Sequence, residues 1–177
     1  MIVRVALSFA EGRKASELPL NTTELRKLFR FVHAELKSTS LYTGALAVLG
    51  VNAIGSIGLH FCSDEEMRGL QKRYRKLDRT TDILSFPSLE VPGAREMMSH
   101  LPPSERSWGD MVVSMSTVER GAKRGRRAVR EELAEVLIHG FLHLLGMDHI
   151  VGRGVSVKDA RDMKALQRQL FKKWKML

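Results

Sequence analysis

The sequence predicts a single domain of the α/β class, with an α+β arrangement of the same elements as the alternative. Short runs rich in β-branched residues alternate with longer stretches in which apolar residues recur at helical spacing. The chain has 177 residues, 44% of them hydrophobic and 28% charged, which suits one core and argues against disorder. We expect residues 1–177 to fold as one unit, with about four strands and about five to six helices in two or three layers.

The N-terminus is predicted to form a strand followed by a helix. Met1–Phe9 is rich in β-branched residues, and its apolar run is too short for a signal peptide. Thr22 or Thr23 can cap a helix that reaches about Lys37, because leucine, phenylalanine and valine recur there at helical spacing. The apolar stripe of this helix would contribute to the core.

The following segments predict a strand that leads directly into a second helix. Ser56–Cys62 contains alternating isoleucine, leucine and phenylalanine, as a half-buried strand does. Ser63–Glu66 has the sequence of a capping box, which predicts a helix that begins there and runs to about Lys76. The preceding residues 41–52 are compatible with either a short helix or a strand.

Two short strands and three helices are predicted in the rest of the chain. Asp82–Pro87 is a strand ended by its proline, and Met111–Ser114 is another. The residues between them are rich in proline, serine and glutamate and are predicted to form a surface loop within the same domain. The helices are expected at Ser116–Arg124, Ala128–Leu145 and Val157–Trp174.

Composition restricts the compartment and the class of partner. The formal net charge of +9 and the pI near 10.1 favour a polyanionic partner such as nucleic acid or an acidic membrane surface, although many basic proteins bind neither specifically. Cys62 is the only cysteine, which excludes an internal disulfide framework and fits a reducing compartment. The longest apolar region, Ala45–Phe61, contains glycines and polar residues that make it a poor membrane span. We expect a cytoplasmic protein.

The most informative segment is His139–His149, which contains three of the six histidines. On a helix His139 and His143 lie on one face, so their imidazoles can point at the same position. Gly146 can adopt the left-handed conformation that ends a helix, which would turn the chain back and bring His149 to that position. A histidine pair alone is more often part of an ordinary core, but three imidazoles with an open fourth position are typical of catalytic zinc. We predict one zinc per chain, held by these three histidines.

The residue after the first histidine restricts which group could act as a general base beside the zinc. Zinc peptidases of the His-Glu-x-x-His kind place a general-base glutamate there, whereas this chain has Gly140. A metal that lowers the pKa of water can provide the nucleophile without such a base, or the proton can pass to a different carboxylate such as Asp148. Asp148 is therefore a candidate catalytic residue. The alternatives are a loop residue or a partner that orients a liganding histidine, a role that Glu135 could also fill.

Two basic clusters precede the histidine motif. Residues 73–79 contain three arginines and a lysine, and an arginine guanidinium matches phosphate oxygens and can stabilise the charge that develops during phosphodiester cleavage. Lys123–Arg130 is a second cluster, suited to following the backbone of a long polyanion. For any one of these residues, an ordinary solvated surface position is the alternative.

These segments together resemble the YbeY family of bacterial rRNA maturation endoribonucleases. The resemblance is carried by Gln71–Pro87, Gly109–Ser114 and His139–His149, and with the adjoining helices it covers roughly residues 56–175. It implies an α/β fold with a small mixed sheet and a zinc ion at the three histidines. It also implies a functional, catalytic arginine at Arg75.

The resemblance further implies a task and partners. Members of the family cleave single-stranded RNA, with roles in 3′-end maturation of small-subunit (16S) rRNA and in ribosome quality control. The implied partners are the rRNA precursor, the immature small ribosomal subunit, a ribosomal protein and an assembly GTPase.

The chain departs from the family pattern at a few positions. Met147 stands where tyrosine is usual, Thr80 where proline is common, and Gln71 where asparagine is common. Arg126–Ala128 replaces a segment that often contains histidine, which removes a polar group near the site and leaves the three predicted ligands intact. The segment Met97–Ser107 is longer than expected for the family and affects only the border of the cleft.

Two other hypotheses share part of this pattern. A zinc peptidase or amidohydrolase would use the same ligands on a different substrate. A non-catalytic ribosome-assembly factor would hold rRNA on its basic surface and use zinc only to brace the fold. Gly140 and the basic net charge favour the endoribonuclease over the peptidase.

Overall fold

The described part of the chain forms a four-stranded mixed sheet with six helices, which confirms the predicted α/β class. The computed structural model describes residues 3–10, 12, 14–37, 55–90, 93–102, 105–147 and 157–177. The strands are β1 (Val3–Phe9), β2 (Gly55–Cys62), β3 (Ile83–Pro87) and β4 (Ser107–Ser114). The helices are α1 (Thr22–Lys37), α2 (Asp64–Leu70), α3 (Ala94–His100), α4 (Met115–Gly125), α5 (Val129–Leu144) and α6 (Val157–Trp174). Two 3-10 turns lie at Ala15–Glu17 and Ser88–Glu90.

The sheet has the strand order β1-β2-β4-β3 and ends at β3 as an edge strand. β1, β2 and β4 are parallel, whereas β3 pairs with β4 in the antiparallel sense. Trp108 is an extra residue in β4, because Ser56 pairs with Ser107 while the next residue of β2 pairs with Gly109. Gly109 has φ 127°, and a Cβ there would lie 2.2 Å from the Phe86 carbonyl oxygen, so this bulge requires glycine.

The larger hydrophobic core lies between one face of the sheet and helices α1, α4, α5 and α6. The Phe141 ring of α5 lies within this core. Its centroid is 5.2 Å from the ring centroid of Phe29 in α1 and 5.2 Å from that of Trp108 in β4. A smaller cluster packs α2 against the opposite face and consists of Cys62, Met67, Leu84 and Val112. Helix α5 is thus fixed on the sheet by the largest side chains of the core.

The predicted elements agree with the structure except between β3 and β4. The loop prediction was wrong for Ala94–His100, which is helix α3 and buries Ala94 and Met98. This helix begins after Gly93 at φ 76° without a side-chain cap, so its sequence lacks the usual start. β4 also begins at Ser107, before the predicted Met111. The segment 41–52 lies outside the described residues, and no helix among those described has the length and apolar character to cross a bilayer.

Helix α2 begins as the capping sequence predicts, and its last turn has a geometry that the sequence did not predict. Ser63 Oγ accepts a hydrogen bond from the backbone N–H of Glu66 (3.1 Å), while the Glu66 carboxylate contacts Nε2 of His60 (3.0 Å) on β2. The helix then widens into a π-helical turn at Gln71–Arg75. Lys76, at φ 60°, ends it. The predicted end near Lys76 is correct, and the π-helical turn has no counterpart in the prediction.

Asp64, the first residue of α2, connects α2 to the start of α4. Its Oδ1 accepts hydrogen bonds from Ser114 Oγ (2.5 Å) and Thr117 Oγ1 (2.9 Å), and a longer one from Thr80 Oγ1 (3.4 Å). Its Oδ2 accepts from Arg120 Nη1 (2.6 Å). These donors, first among them the Arg120 guanidinium, lower the pKa of Asp64 to about 2.

We predict that Asp64→Asn reduces the free energy of unfolding at neutral pH by on the order of 1–2 kcal/mol, because an amide nitrogen would face donors that now bind a carboxylate. Folding lowers the pKa of Asp64 from 3.8 to about 2. The carboxylate therefore stabilises the fold fully above the higher value, and this contribution is lost as the pH falls through the interval between the two. Urea unfolding of both proteins from pH 7 downward measures the difference, which should shrink below the higher value.

The matched control is Asp78→Asn, which removes a carboxylate from an exposed ion pair with Arg68. Exposed pairs contribute little to stability, so its unfolding midpoint should stay near that of the wild type. A difference between wild type and Asp64→Asn that is the same at every pH would contradict the assigned pKa effect.

Candidate active site

Helix α5 lies directly on the edge strand β3 because position 140 has no side chain. A Cβ on Gly140 would lie 2.4 Å from Ile83 Cδ1 and 2.7 Å from Met111 Sδ. Ser85 Oγ also donates a hydrogen bond to the Gly140 carbonyl oxygen (3.1 Å). A glutamate at this position would therefore require Ile83 and Met111 to move, and the contact holds the part of α5 that carries His139 and His143 against the sheet.

The structure brings the imidazoles of His139 and His143 together. Their Nε2 atoms are 3.2 Å apart, and the two rings are nearly perpendicular, at 86°. Two nitrogens that bind one tetrahedral zinc at about 2.0–2.1 Å are separated by roughly 3.3–3.4 Å. The two predicted ligands that the structure describes are therefore placed to fit a zinc ion.

Gln167 of α6 holds the other side of the His139 ring. Its Oε1 lies 2.8 Å from Nδ1 of His139. When Nδ1 donates this hydrogen bond, Nε2 presents its lone pair to the position shared with His143. Gln167 was not predicted from the sequence, because it lies twenty-eight residues after His139 on an amphipathic helix and belongs to no recognisable motif. Glu135, considered for this role, instead binds Arg127.

The end of α5 has the geometry that the glycine predicts. Gly146 has φ 83°, and its N–H donates to the His143 carbonyl oxygen (2.9 Å). The N–H of Met147 donates to the Leu142 carbonyl oxygen (3.1 Å), which completes a Schellman motif. The chain therefore turns immediately after the second histidine, as predicted.

Asp148 and His149 lie outside the described residues, so their roles stay predictions. Within the residues that the structure describes, no group of three or more histidine, cysteine, aspartate or glutamate side chains is placed to hold a metal ion.

A cleft of about 630 Å³ lies beside the two histidines. Its lining includes His139 and His143 together with residues of the π-helical turn and the loop that follows, namely Gln71, Arg75 and Arg79. The edge strand β3 contributes residues to the same lining. The arginine predicted to bind phosphate and two of the predicted zinc ligands, His139 and His143, thus line one cleft.

The other members of the first basic cluster have different surroundings. Tyr74 packs edge-on against Phe86 with ring centroids 5.1 Å apart, and the Arg73 guanidinium lies over the Tyr74 ring. Lys76 Nζ donates to the Arg73 carbonyl oxygen (3.2 Å). These contacts fix the outer side of the π-helical turn.

The second basic cluster is partly neutralised. Arg127 binds the carboxylates of Glu132 and Glu135, and Arg130 binds Glu24 of α1. These two arginines tie α5 to its neighbours and are less suited to a polyanion than the sequence suggests. Arg127 and His139 also line a second groove of about 490 Å³ between α5 and α6.

Comparison with known proteins shows which family the chain belongs to. The family model described as endoribonuclease YbeY matches residues 13–175. The chain belongs to this family. The predicted resemblance is confirmed over nearly the whole chain, including the N-terminal third.

Individual relatives agree. The endoribonuclease YbeY of Aquifex aeolicus is 37% identical over 120 residues, which cover 68% of this chain and 72% of that protein. The endoribonuclease YbeY of Moorella thermoacetica is 36% identical over 132 residues, which cover 73% and 84%. The endoribonuclease YbeY of Myxococcus xanthus is 40% identical over 115 residues, which cover 65% of this chain and 35% of that longer protein.

A solved structure has the same fold. The solution structure of a protein from Thermotoga maritima matches with a TM-score of 0.52 and 22% identity, over 99% of this chain and 93% of that one. The match supports the fold of this chain.

We predict that Gln167→Leu lowers zinc affinity by about tenfold to a hundredfold, because the partner of a liganding histidine fixes its tautomer and ring orientation. Competition with a chromogenic zinc chelator measures the affinity. The control is Gln169→Leu, the same change at an exposed position of α6 outside the cleft. Equal zinc affinity of the two variants would contradict the role assigned to Gln167.

Proposed function

We propose that this protein is a zinc-dependent endoribonuclease that cleaves single-stranded RNA. The observation that carries the proposal is the convergence of the His139 and His143 imidazoles in the same cleft as Arg75, in a chain that belongs to the endoribonuclease YbeY family. His149 is the third ligand in this proposal, which gives one zinc per chain. Residues 1–177 act together as one domain.

The residues have separate roles in this proposal. Zinc bound at the histidines would supply a Lewis acid that polarises a phosphate oxygen or lowers the pKa of water. The Arg75 guanidinium binds two phosphate oxygens at once and stabilises the negative charge that develops on them. Asp148 accepts a proton, and Gln167 keeps His139 in the tautomer that can bind metal.

We extend the proposal to the cellular task that family membership supports. The RNA is the precursor of small-subunit (16S) rRNA, cut during 3′-end maturation, and the enzyme also acts in ribosome quality control. The site of action is the cytoplasm. The partners are the immature small subunit, a ribosomal protein and an assembly GTPase. The net charge of +9 supports an RNA substrate, because it attracts a polyanion at long range.

The peptidase alternative has less support from the geometry. Position 140 has glycine where peptidases of the His-Glu-x-x-His kind have the glutamate that acts as general base, and the side chains of Ile83 and Met111 occupy the space that a Cβ there would need. The assembly-factor alternative shares the basic cleft, and only turnover separates it from an enzyme.

Metal content is the first measurement. We predict that untagged protein, purified without added metal, contains one zinc per chain, and that His143→Ala loses it, because two remaining imidazoles hold zinc much more weakly than three. Elemental analysis together with circular dichroism checks both content and folding. A wild-type protein that is folded, metal-free and impossible to load with zinc would exclude the zinc mechanism.

The role of Arg75 gives a second prediction. Arg75→Ala should lower the rate of RNA cleavage by about a hundredfold to a thousandfold, the usual cost of removing one group that stabilises transition-state charge, with zinc content unchanged. Arg73→Ala is the matched control, because Arg73 lies over Tyr74 and not among the residues that line the cleft. It should change cleavage far less.

Two outcomes would favour the alternatives. Hydrolysis of an amide substrate that is unaffected by Arg75→Ala would favour a peptidase or amidohydrolase. RNA binding that is weakened by Arg75→Ala, in a wild-type protein without any turnover, would favour an assembly factor.

A further inference from the structure

Gln71 is a buried polar side chain on the wall of the cleft with an unused acceptor. It is 7% exposed and lines the cleft together with Arg75, His139 and His143. Among the residues that the structure describes, its Oε1 has no hydrogen-bond partner. Such a group loses its hydration on folding and gains no bond in return, so its presence calls for an explanation.

The backbone is distorted at this residue. Gln71–Arg75 is the π-helical turn, and the Gln71 carbonyl oxygen accepts a hydrogen bond from Leu77 N–H (3.3 Å) beyond Lys76 at φ 60°. Single π-helical turns are rare and occur frequently at functional sites. Here the turn brings both its first and its last side chain to the cleft.

The chemistry of an amide oxygen restricts the ligand. The oxygen only accepts hydrogen bonds, and a phosphodiester has no hydrogen to donate, so the ligand of this atom is not the phosphate. A nucleotide offers donors on its ribose 2′-hydroxyl and on base edges. The 2′-hydroxyl occurs on every ribonucleotide next to its phosphate, whereas base donors change with sequence.

We propose that Gln71 accepts a hydrogen bond from the ribose 2′-hydroxyl of the nucleotide whose phosphate is bound at Arg75, and thereby selects RNA over DNA. This inference rests on the proposed function and names the sugar contact of the same site. Binding turns the amide oxygen toward the donor and provides the partner that the unliganded protein lacks. Arg75 supplies affinity for either nucleic acid, and Gln71 distinguishes them.

Gln71→Met is the test, because methionine keeps the unbranched shape and removes the acceptor. Equilibrium binding is measured by fluorescence anisotropy with single-stranded RNA and DNA of one sequence, both with phosphorothioate linkages to slow cleavage. The wild type should bind RNA about tenfold more tightly than DNA. Gln71→Met should bind RNA about tenfold more weakly than the wild type does, and its affinity for DNA should be unchanged. Its melting temperature should not fall, because an unpaired buried acceptor is removed.

Two controls isolate the acceptor. Gln169→Met makes the same change at an exposed position of α6 and should leave both affinities unchanged. Gln71→Glu keeps an acceptor oxygen and adds negative charge, so it should weaken both affinities and retain their ratio.

Several results would overturn the inference. Gln71→Met could lose affinity equally for RNA and DNA, or lose affinity for neither. Its affinity could also fall only for RNAs that contain one particular base, which would assign Gln71 to a base edge. The proposed function fails separately, if wild-type protein neither cleaves RNA nor prefers it to DNA.

Discussion

The cleft depends on the close contact between helix α5 and the edge strand β3. Gly140 allows this contact without rearrangement, because the side-chain ends of Ile83 and Met111 occupy the space that a Cβ would need. Ser85 adds a hydrogen bond to the Gly140 carbonyl oxygen. The histidines on either side of this glycine along the helix are thereby held at the open edge of the sheet, where a long substrate can reach them.

Three segments far apart in sequence complete the site around that contact. The π-helical turn after α2 contributes Gln71 and Arg75, and Asp64 fixes the start of α2 through its bonds to α4. Helix α6 contributes Gln167 to the His139 ring. Asp64 ties the start of α2 to the start of α4, and Gln167 ties α6 to α5, so the cleft is pre-formed by the fold.

The parts of the site that could be predicted are those whose chemistry is local in sequence. The spacing of His139 and His143 and the glycine that ends their helix depend on one helix, and the structure shows both features as expected. Gln167 could not be predicted, because its role exists only where α6 packs on α5. Helix α3 was missed because it begins without a side-chain cap. The π-helical turn was missed because the residues of Gln71–Arg75 are equally compatible with an α-helix.

The ion pairs distinguish the arginines that line the cleft from two arginines of the second basic cluster. Arg127 and Arg130 have carboxylate partners, which cancel their attraction for phosphate and replace it with contacts between helices. Among the residues that the structure describes, Arg75 and Arg79 form no ion pair with a carboxylate. Both arginines line the cleft together with His139 and His143, so their charge is available there to a polyanion.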